Sequence, residues 1–215
     1  MKVLKWVGII IVGFVVIGFL SALLGDNDEG ASINTSAPSS NSSPSSGTEP
    51  QTKTEPPATS KKYIKSGMYK IGKDLPVGEY LIIPSGMAYY QVTKDSTGSL
   101  DSIISNDNFS GTRYVTVSEG QYLEIRSSKM ISAADADLQQ AKNNTYPEGM
   151  YKIGEEIPPG EYKVISDGGF AYYEVSRDSR GNLDSIITND NFSGEKYISV
   201  SSGQYLKLNG CKLIR

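Results

Sequence analysis

The hydrophobic pattern changes period along the chain, and each period predicts a different element. From Trp6 to Gly25 ("WVGIIIVGFVVIGFLSALLG") no residue is charged. That run is about 20 residues long, enough for a helix to cross roughly 30 Å of hydrocarbon. From Asp26 to Lys62 apolar positions almost vanish in a tract of Ser, Thr, Pro, Asn and charge, which has too little to bury and predicts a disordered linker. Beyond it the period becomes two. Val115 and Val117 in "RYVTV" share one side, as do Leu123 and Ile125 in "QYLEI", and Ile198, Val200, Leu206 and Leu208 repeat the pattern later. Alternation of this kind predicts half-buried strands with those residues in the core.

The later segments are also copies of one another. Gly67 to Ile131 aligns with Gly149 to Ile214 at about 60% identity with one inserted Gly, the mark of a duplicated unit. "GMYKIGKDLPVGEYLII" returns as "GMYKIGEEIPPGEYKVI", and "LDSIISNDNFSG" as "LDSIITNDNFSG". Lys163 in place of Leu81 places Tyr80 and Ile82 on the inward side. "DLPVG" and "EIPPG" predict turns with strands starting at Glu79 and Glu161, and the "SEG" and "SSG" loops predict hairpins with Gly120 and Gly203 at positive φ. Five to seven short strands per unit give an all-β fold: a tandem repeat of two small β-sandwich or barrel-like units, preceded by an N-terminal transmembrane helix and a disordered linker. The organisation is an anchor at 1–25, a linker at 26–62, repeats at 63–131 and 149–215, and an inter-repeat segment at 132–148. In that last segment Ser132 and Asp135 fit a capping box, with Asn143 and Asn144 ending a short helix; a plain linker is the alternative.

"SNDNFSG" lies between two apolar runs and reads as a reversal of the chain, with Phe109 or Phe192 pinning it to the core. The alternative is a calcium site. Asp101, Asn106, Asp107 and Asn108 in the first copy, and Asp184, Asn189, Asp190 and Asn191 in the second, supply several oxygens within one connection, and calcium takes six to eight. The spacing fits no EF-hand.

Composition narrows the chemistry. The chain has no His and one Cys, which removes the commonest general base, Ser-His or Cys-His nucleophile systems, an internal disulfide and a structural zinc site. Cys211 stands where the first copy has Ser128 and reads as a small buried hydrophobe. A net charge of −3 offers nothing to nucleic acid. Asp95 with Asp101, and Asp178 with Asp184, are the carboxylate pairs a glycosidase would need, but units this small leave little room for a cleft. Lys2 and Lys5 before the apolar run, and Asp26, Asp28 and Glu29 after it, place the N-terminus in the cytoplasm and the repeats outside a plasma membrane. A cleaved signal peptide is the competing reading, though Leu20 or Leu23 would stand where a small residue is wanted.

Tyrosine is the remaining feature, with 14 in the chain. If Val115 and Leu123 face the core, then Tyr114 and Tyr122 face away, with Tyr197 and Tyr205 in the second copy. Such rings can form a binding platform; they can equally form a seam between the units or cross-strand pairs.

The motif "GMYKIGKDLPVGEY", followed by "DSIISNDNFSG" and a closing Lys-x-Ile, resembles a β repeat of secreted or membrane-anchored proteins of Gram-positive bacteria, with a "G-x-Y-x-V-G-x-D-I-x-x-G-x-Y" opening. The resemblance implies a β-rich envelope protein and assigns no activity. The expectation is a non-catalytic, cofactor-free ectodomain anchored through residues 6–25 that binds a cell-wall glycan or protein. The alternatives are a structural or regulatory component that contacts a neighbouring membrane protein, or a carboxylate-dependent glycan hydrolase.

Overall fold

The alternating segments become strands throughout. A computed structural model describes residues 61–214, all within one compact unit spanning Glu55–Arg215. The expected span Trp6–Gly25 and nearly all of the linker lie outside the described residues. Among those described, no helix is long and apolar enough to cross a membrane.

The first repeat contains β1 (Gly67–Lys70), β2 (Gly78–Thr93), β3 (Ile103–Phe109), β4 (Arg113–Val117) and β5 (Tyr122–Ser132). The second contains β7 (Gly149–Lys152), β8 (Gly160–Ser166), β9 (Ala171–Ser176), β10 (Ile186–Phe192), β11 (Glu195–Val200), β12 (Tyr205–Asn209) and β13 (Cys211–Ile214), preceded by the short β6 (Thr145–Tyr146). All pairings between these strands are antiparallel.

The second repeat forms two four-stranded sheets, β10-β9-β12-β7 and β11-β8-β13-β6. In the first repeat the same topology is made with fewer, longer strands. The later half of β2 pairs with β3 and the start of β5, and its earlier half pairs with β4 and the end of β5. A register shift between Pro84 and Tyr89 marks the bend between the halves. In the second repeat the inserted glycine gives Gly168 and Gly169, both at positive φ, and β2 is replaced by separate β8 and β9. The result is an all-β, sandwich-like arrangement in which each repeat has its own core. One core contains Tyr80, Ile82, Val115, Val117, Leu123 and Ile125, and the other contains Val164, Ile198, Val200, Leu206 and Leu208, as the alternation predicts.

A recurrent lock explains four of the repeated tyrosines. Tyr69, Tyr80, Tyr151 and Tyr162 each donate a hydroxyl hydrogen bond to the carbonyl four residues earlier, at Lys65, Pro76, Pro147 and Pro158, at 2.7–2.9 Å. Each has Gly two positions before it. At Gly67 and Gly149 a Cβ would press on the locked tyrosine at 3.2 and 3.3 Å, so packing favours glycine there, whereas at Gly78 a Cβ would meet nothing within 4 Å.

Three expectations are corrected. "SNDNF" does not reverse the chain: it is strand β3, and its copy is β10; the reversal comes afterwards, at 110–112 and 193–194. Asn and Asp are poor strand formers, but here alternation places Phe109 in the core and Asn108 outside, and Asn106 and Asp107 find side-chain partners across the sheet. Strand β2 starts at Gly78 and β8 at Gly160, one residue before the expected Glu79 and Glu161. The expected capping box yields only a 3-10 turn, Ala133–Asp135, without a side-chain cap bond from Ser132, while Asn143 and Asn144 (φ 52° and 58°) make a tight turn closed by Lys142 and Thr145.

Candidate functional site

The two repeats meet across a seam, and that seam determines which faces stay open. Leu81, Tyr114 and Ile131 on the outer side of the β2–β4–β5 sheet pack with Met150 and Tyr205 on the outer side of the β7–β12–β9 sheet. The Tyr114 and Tyr205 rings meet edge to face at 6.1 Å, and Lys152 Nζ lies 4.8 Å from the Tyr114 ring centre. Polar groups close the rim. Glu79 takes Lys152 Nζ at 2.7 Å, the Tyr205 hydroxyl at 2.8 Å and the Ser179 hydroxyl at 2.6 Å. Backbone bonds run from Met150 N to Thr112 O and from Thr116 N to Ser179 O.

Two buried charged side chains hold the seam from inside. Arg113 is 1% exposed; it donates to Asp107 and to Thr112 O at 2.9 Å, and to Asn209 of the other repeat. Glu156 is 4% exposed and accepts from the Tyr114 hydroxyl at 2.9 Å and from the backbone N–H of Lys152 and Gln139 at 2.8 Å. Beside Arg113 a cavity of about 20 Å³, lined by Tyr90, Asp107, Glu174, Ser176 and Lys207 among others, has room for a single water. A broader groove of about 620 Å³ opens at the seam's edge, between Glu79, Lys152, Glu155 and Leu138; Glu79 and Lys152 are already paired with each other.

The four expected platform tyrosines therefore separate. Tyr114, at 2% exposed, and the half-buried Tyr205 lie in the seam, the alternative that the sequence left open. Both rings face away from their own cores, as the alternation predicts, and the other repeat covers them. Tyr122 is half-buried on the open side of the β1–β5–β2–β3 sheet, and Tyr197 stands 61% exposed on the open side of the β11–β8–β13 sheet.

The eight oxygen-bearing residues considered for calcium are also dispersed. Strand alternation puts Asp107 opposite in direction to Asn106 and Asn108. Arg113 occupies Asp107, and Lys196 occupies Asp190. Asn106 and Asn189 donate to the hydroxyls of Tyr89 and Tyr172. Asn108 and Asn191 point to solvent, and Asp101 and Asp184 are exposed in the 3-10 turns Leu100–Ser102 and Leu183–Ser185. Among the described residues, no group of three or more Cys, Asp or Glu side chains is placed to hold a metal.

Of the proposed carboxylate pairs, Asp95 is taken up by Thr97, and Asp178 by Arg180 and Ser185. Burial alone would raise Asp178, but those bonds and the Arg180 charge outweigh it and hold the carboxyl below its usual range. Cys211 is buried as expected, which pushes its thiol up to about 11.

The open face of the first repeat is an organised polar-aromatic surface. Tyr89 donates to Gln91 at 3.0 Å, Gln91 to Glu124 at 2.6 Å, and Arg126 to Glu124 at 2.7 Å, with Arg126 lying over the Tyr89 ring. Lys70 lies over Tyr122, and Met68 is 45% exposed beside them. No protein-family model matches this chain, and no similar curated protein is found.

Sequence reasoning did not single out Arg113, Glu156, Glu79, Lys152 or Ser179. A signal was present at positions where the copies differ together. Gln91 opposite Glu124 becomes Glu174 opposite Lys207, in the same register, and the second pair is an ion pair at 2.9 Å.

The phenols give a pH prediction. Burial raises Tyr90, Tyr114, Tyr151, Tyr172 and Tyr205 above their ordinary value, with further upward pushes from Asp107, Glu156, Glu174 and Glu79. The fold thus favours the neutral phenol, so this contribution is fully present below the unfolded value of about 10 and is lost as pH rises through the folded values. In an alkaline titration, tyrosinate absorbance from these five should appear in one cooperative step together with loss of the β circular-dichroism signal. Ionisation of all five with the sheets intact would contradict it.

Proposed function

We propose that this chain is a membrane-anchored, non-catalytic binding protein of the cell surface. Residues 6–25 hold it in the plasma membrane, and two sandwich-like units, 63–131 and 149–215, are displayed outside, with a protein-docking face on the β1–β5–β2–β3 sheet. One observation carries the reading: the same face in the second repeat is already covered by protein. Met150 is buried, and Lys152 and Tyr205 are half-buried, against the first repeat, while the counterparts Met68 and Lys70 stand exposed beside the half-buried Tyr122 on an ordered network of Tyr, Gln, Glu and Arg side chains. Exposed apolar and aromatic groups rimmed by charge are the composition of a recognition surface. This face needs no cofactor.

Two measurements test the proposal in intact cells. External protease should remove the repeats while a cytosolic control survives. A photoreactive residue in place of Tyr122 in the full chain should give covalent adducts with a protein outside the membrane, whereas the same residue at Tyr205 should react only within the chain. Sedimentation with protein-free wall glycan, in the absence of any protein adduct from Tyr122, would overturn the protein-docking reading.

A further inference from the structure

The seam joins two non-equivalent faces of equivalent units. The first repeat contributes the outer side of its β2–β4–β5 sheet, and the second contributes the outer side of its β7–β12–β9 sheet. A contact of this head-to-tail kind does not close on itself: each unit has one partner face of each type, and only one of each is used. The β1–β5–β2–β3 face remains at one end of the pair and the β11–β8–β13 face at the other.

Resting on the docking face identified above, we infer that its occupant is a second copy of this chain, joined head to tail by repeating the internal seam between molecules. Many of the residues that line the seam are kept on both unused faces. Glu79, which receives Lys152, Tyr205 and Ser179, has Glu161 as its counterpart, and these three partners have Lys70, Tyr122 and Ser96. Tyr114 has Tyr197, Ile131 has Ile214, and Met150 has Met68. An anionic Glu161 on one end face and a cationic Lys70 on the other supply the same charge complementarity as the Glu79–Lys152 pair.

Exposure follows the same logic. Tyr197 is 61% exposed although its counterpart is 2% exposed, and Met68 is 45% exposed against 5% for Met150. Each is uncovered only because the neighbouring unit is missing. Tyr197 meets a lysine of its own sheet, with Lys163 Nζ 5.3 Å from the ring centre, where Tyr114 meets Lys152 of the other repeat.

Several seam positions depart from the template: Lys196 stands for Arg113 and Arg126 for Asn209, two cations where the seam has a donor and an acceptor, Asp74 stands for Glu156, and one apolar position carries a lysine. Lys163 replaces Leu81, and its ammonium is held by Glu195 on its own sheet at 2.9 Å. Its methylene stem can still cover Met68 while the charge stays at the rim. The inter-repeat segment, which adds Gln139 bonds to Thr112, Met150 and Glu156 inside the chain, has no counterpart between molecules. The intermolecular contact is therefore weaker than the internal one, and confinement of anchored copies to one membrane raises their effective concentration.

The test uses two differently tagged versions of the full chain, co-expressed in membranes, with a photoreactive residue in place of Tyr197. Irradiation should link the two tags, with the crosslink mapping to the Met68–Tyr122 side of the second copy. Glu161→Lys should lower the linked yield at least ~10-fold, because like charges then face each other across the contact. Lys70→Glu should do the same. The chain carrying both reversals should recover most of the yield, which separates loss of contact from loss of fold, since both positions are exposed. Links between tags that ignore the single reversals would overturn the inference. So would adducts from Tyr197 with other proteins alone. If Tyr122 probes still capture an extracytoplasmic protein in that case, the docking face stands and only its occupant is wrong; adducts from neither position would remove both.

Discussion

Replacing Arg113 by Ala should lower the stability of the ectodomain by about 3 kcal/mol, the low end of what breaking a buried ion pair costs. For a folded region of this size that is a fall in Tm of roughly 6–12 °C. The guanidinium is almost fully enclosed and satisfies Asp107, Thr112 O and Asn209 at once, with its Cζ 5.4 Å from the Phe109 ring centre. Alanine leaves the Asp107 carboxylate, only 21% exposed, without its cation and opens a void between the repeats. Arg113→Lys should fall in between. Lysine is the natural residue at the counterpart position, where Lys196 reaches Asp190 on a half-exposed surface, but a single ammonium cannot reproduce the guanidinium's spread of donors. Removing both charges, as Arg113→Met with Asp107→Asn, should recover much of the loss. Thermal melts of the four proteins decide the matter, and a Tm change of under ~2 °C for Arg113→Ala would show that the pair contributes little to the seam.

The second large effect is expected at Glu156. Glu156→Ala strips the acceptor from three enclosed donors, namely the Tyr114 hydroxyl and the N–H groups of Lys152 and Gln139. At about 1–3 kcal/mol for each buried group left unsatisfied, with partial relief by water at the seam edge, the loss should reach about 3 kcal/mol. Asp at this position should be milder. The first repeat has Asp74 there, which still accepts from Lys70 N at 2.8 Å, so Glu156→Asp keeps the turn and gives up the reach to Tyr114. A double-mutant cycle isolates the seam term: Tyr114→Phe should cost about 1 kcal/mol in the natural chain and close to nothing once Glu156 is Ala. Equal costs in both backgrounds would mean that the Tyr114–Glu156 bond does not couple the repeats.

Much of the fold can be read from the chain because period two and duplication report on it independently. Val115, Val117, Leu123 and Ile125 and their copies enter the cores as alternation requires, and Gly120 and Gly203 take the positive φ their hairpins need. "SNDNF" misleads because propensity scores Asn and Asp by what they do in isolation. Here Tyr89 on the neighbouring strand and Arg113, past the following turn, satisfy their side chains and make a strand tolerable. The candidate site is harder to read. Whether Tyr114 or Tyr197 faces solvent depends on which sheet face the neighbouring unit covers, and two nearly identical strings cannot specify that. Differences between the copies hold the missing information: Arg113 against Lys196, Glu156 against Asp74, and Leu81 against Lys163 mark the half of each pair that the seam uses.

The G-x-Y locks have a consequence for the order in which structure can form. Most contacts here join residues far apart in the chain, so loop-closure entropy must be lost before most of the reward arrives, and such topologies are slow to assemble. A tyrosine that reaches back four residues closes a very short loop. These four hydroxyl bonds can exist in a nascent chain before any of the sheets does, fixing the direction in which β1, β2, β7 and β8 depart from their turns.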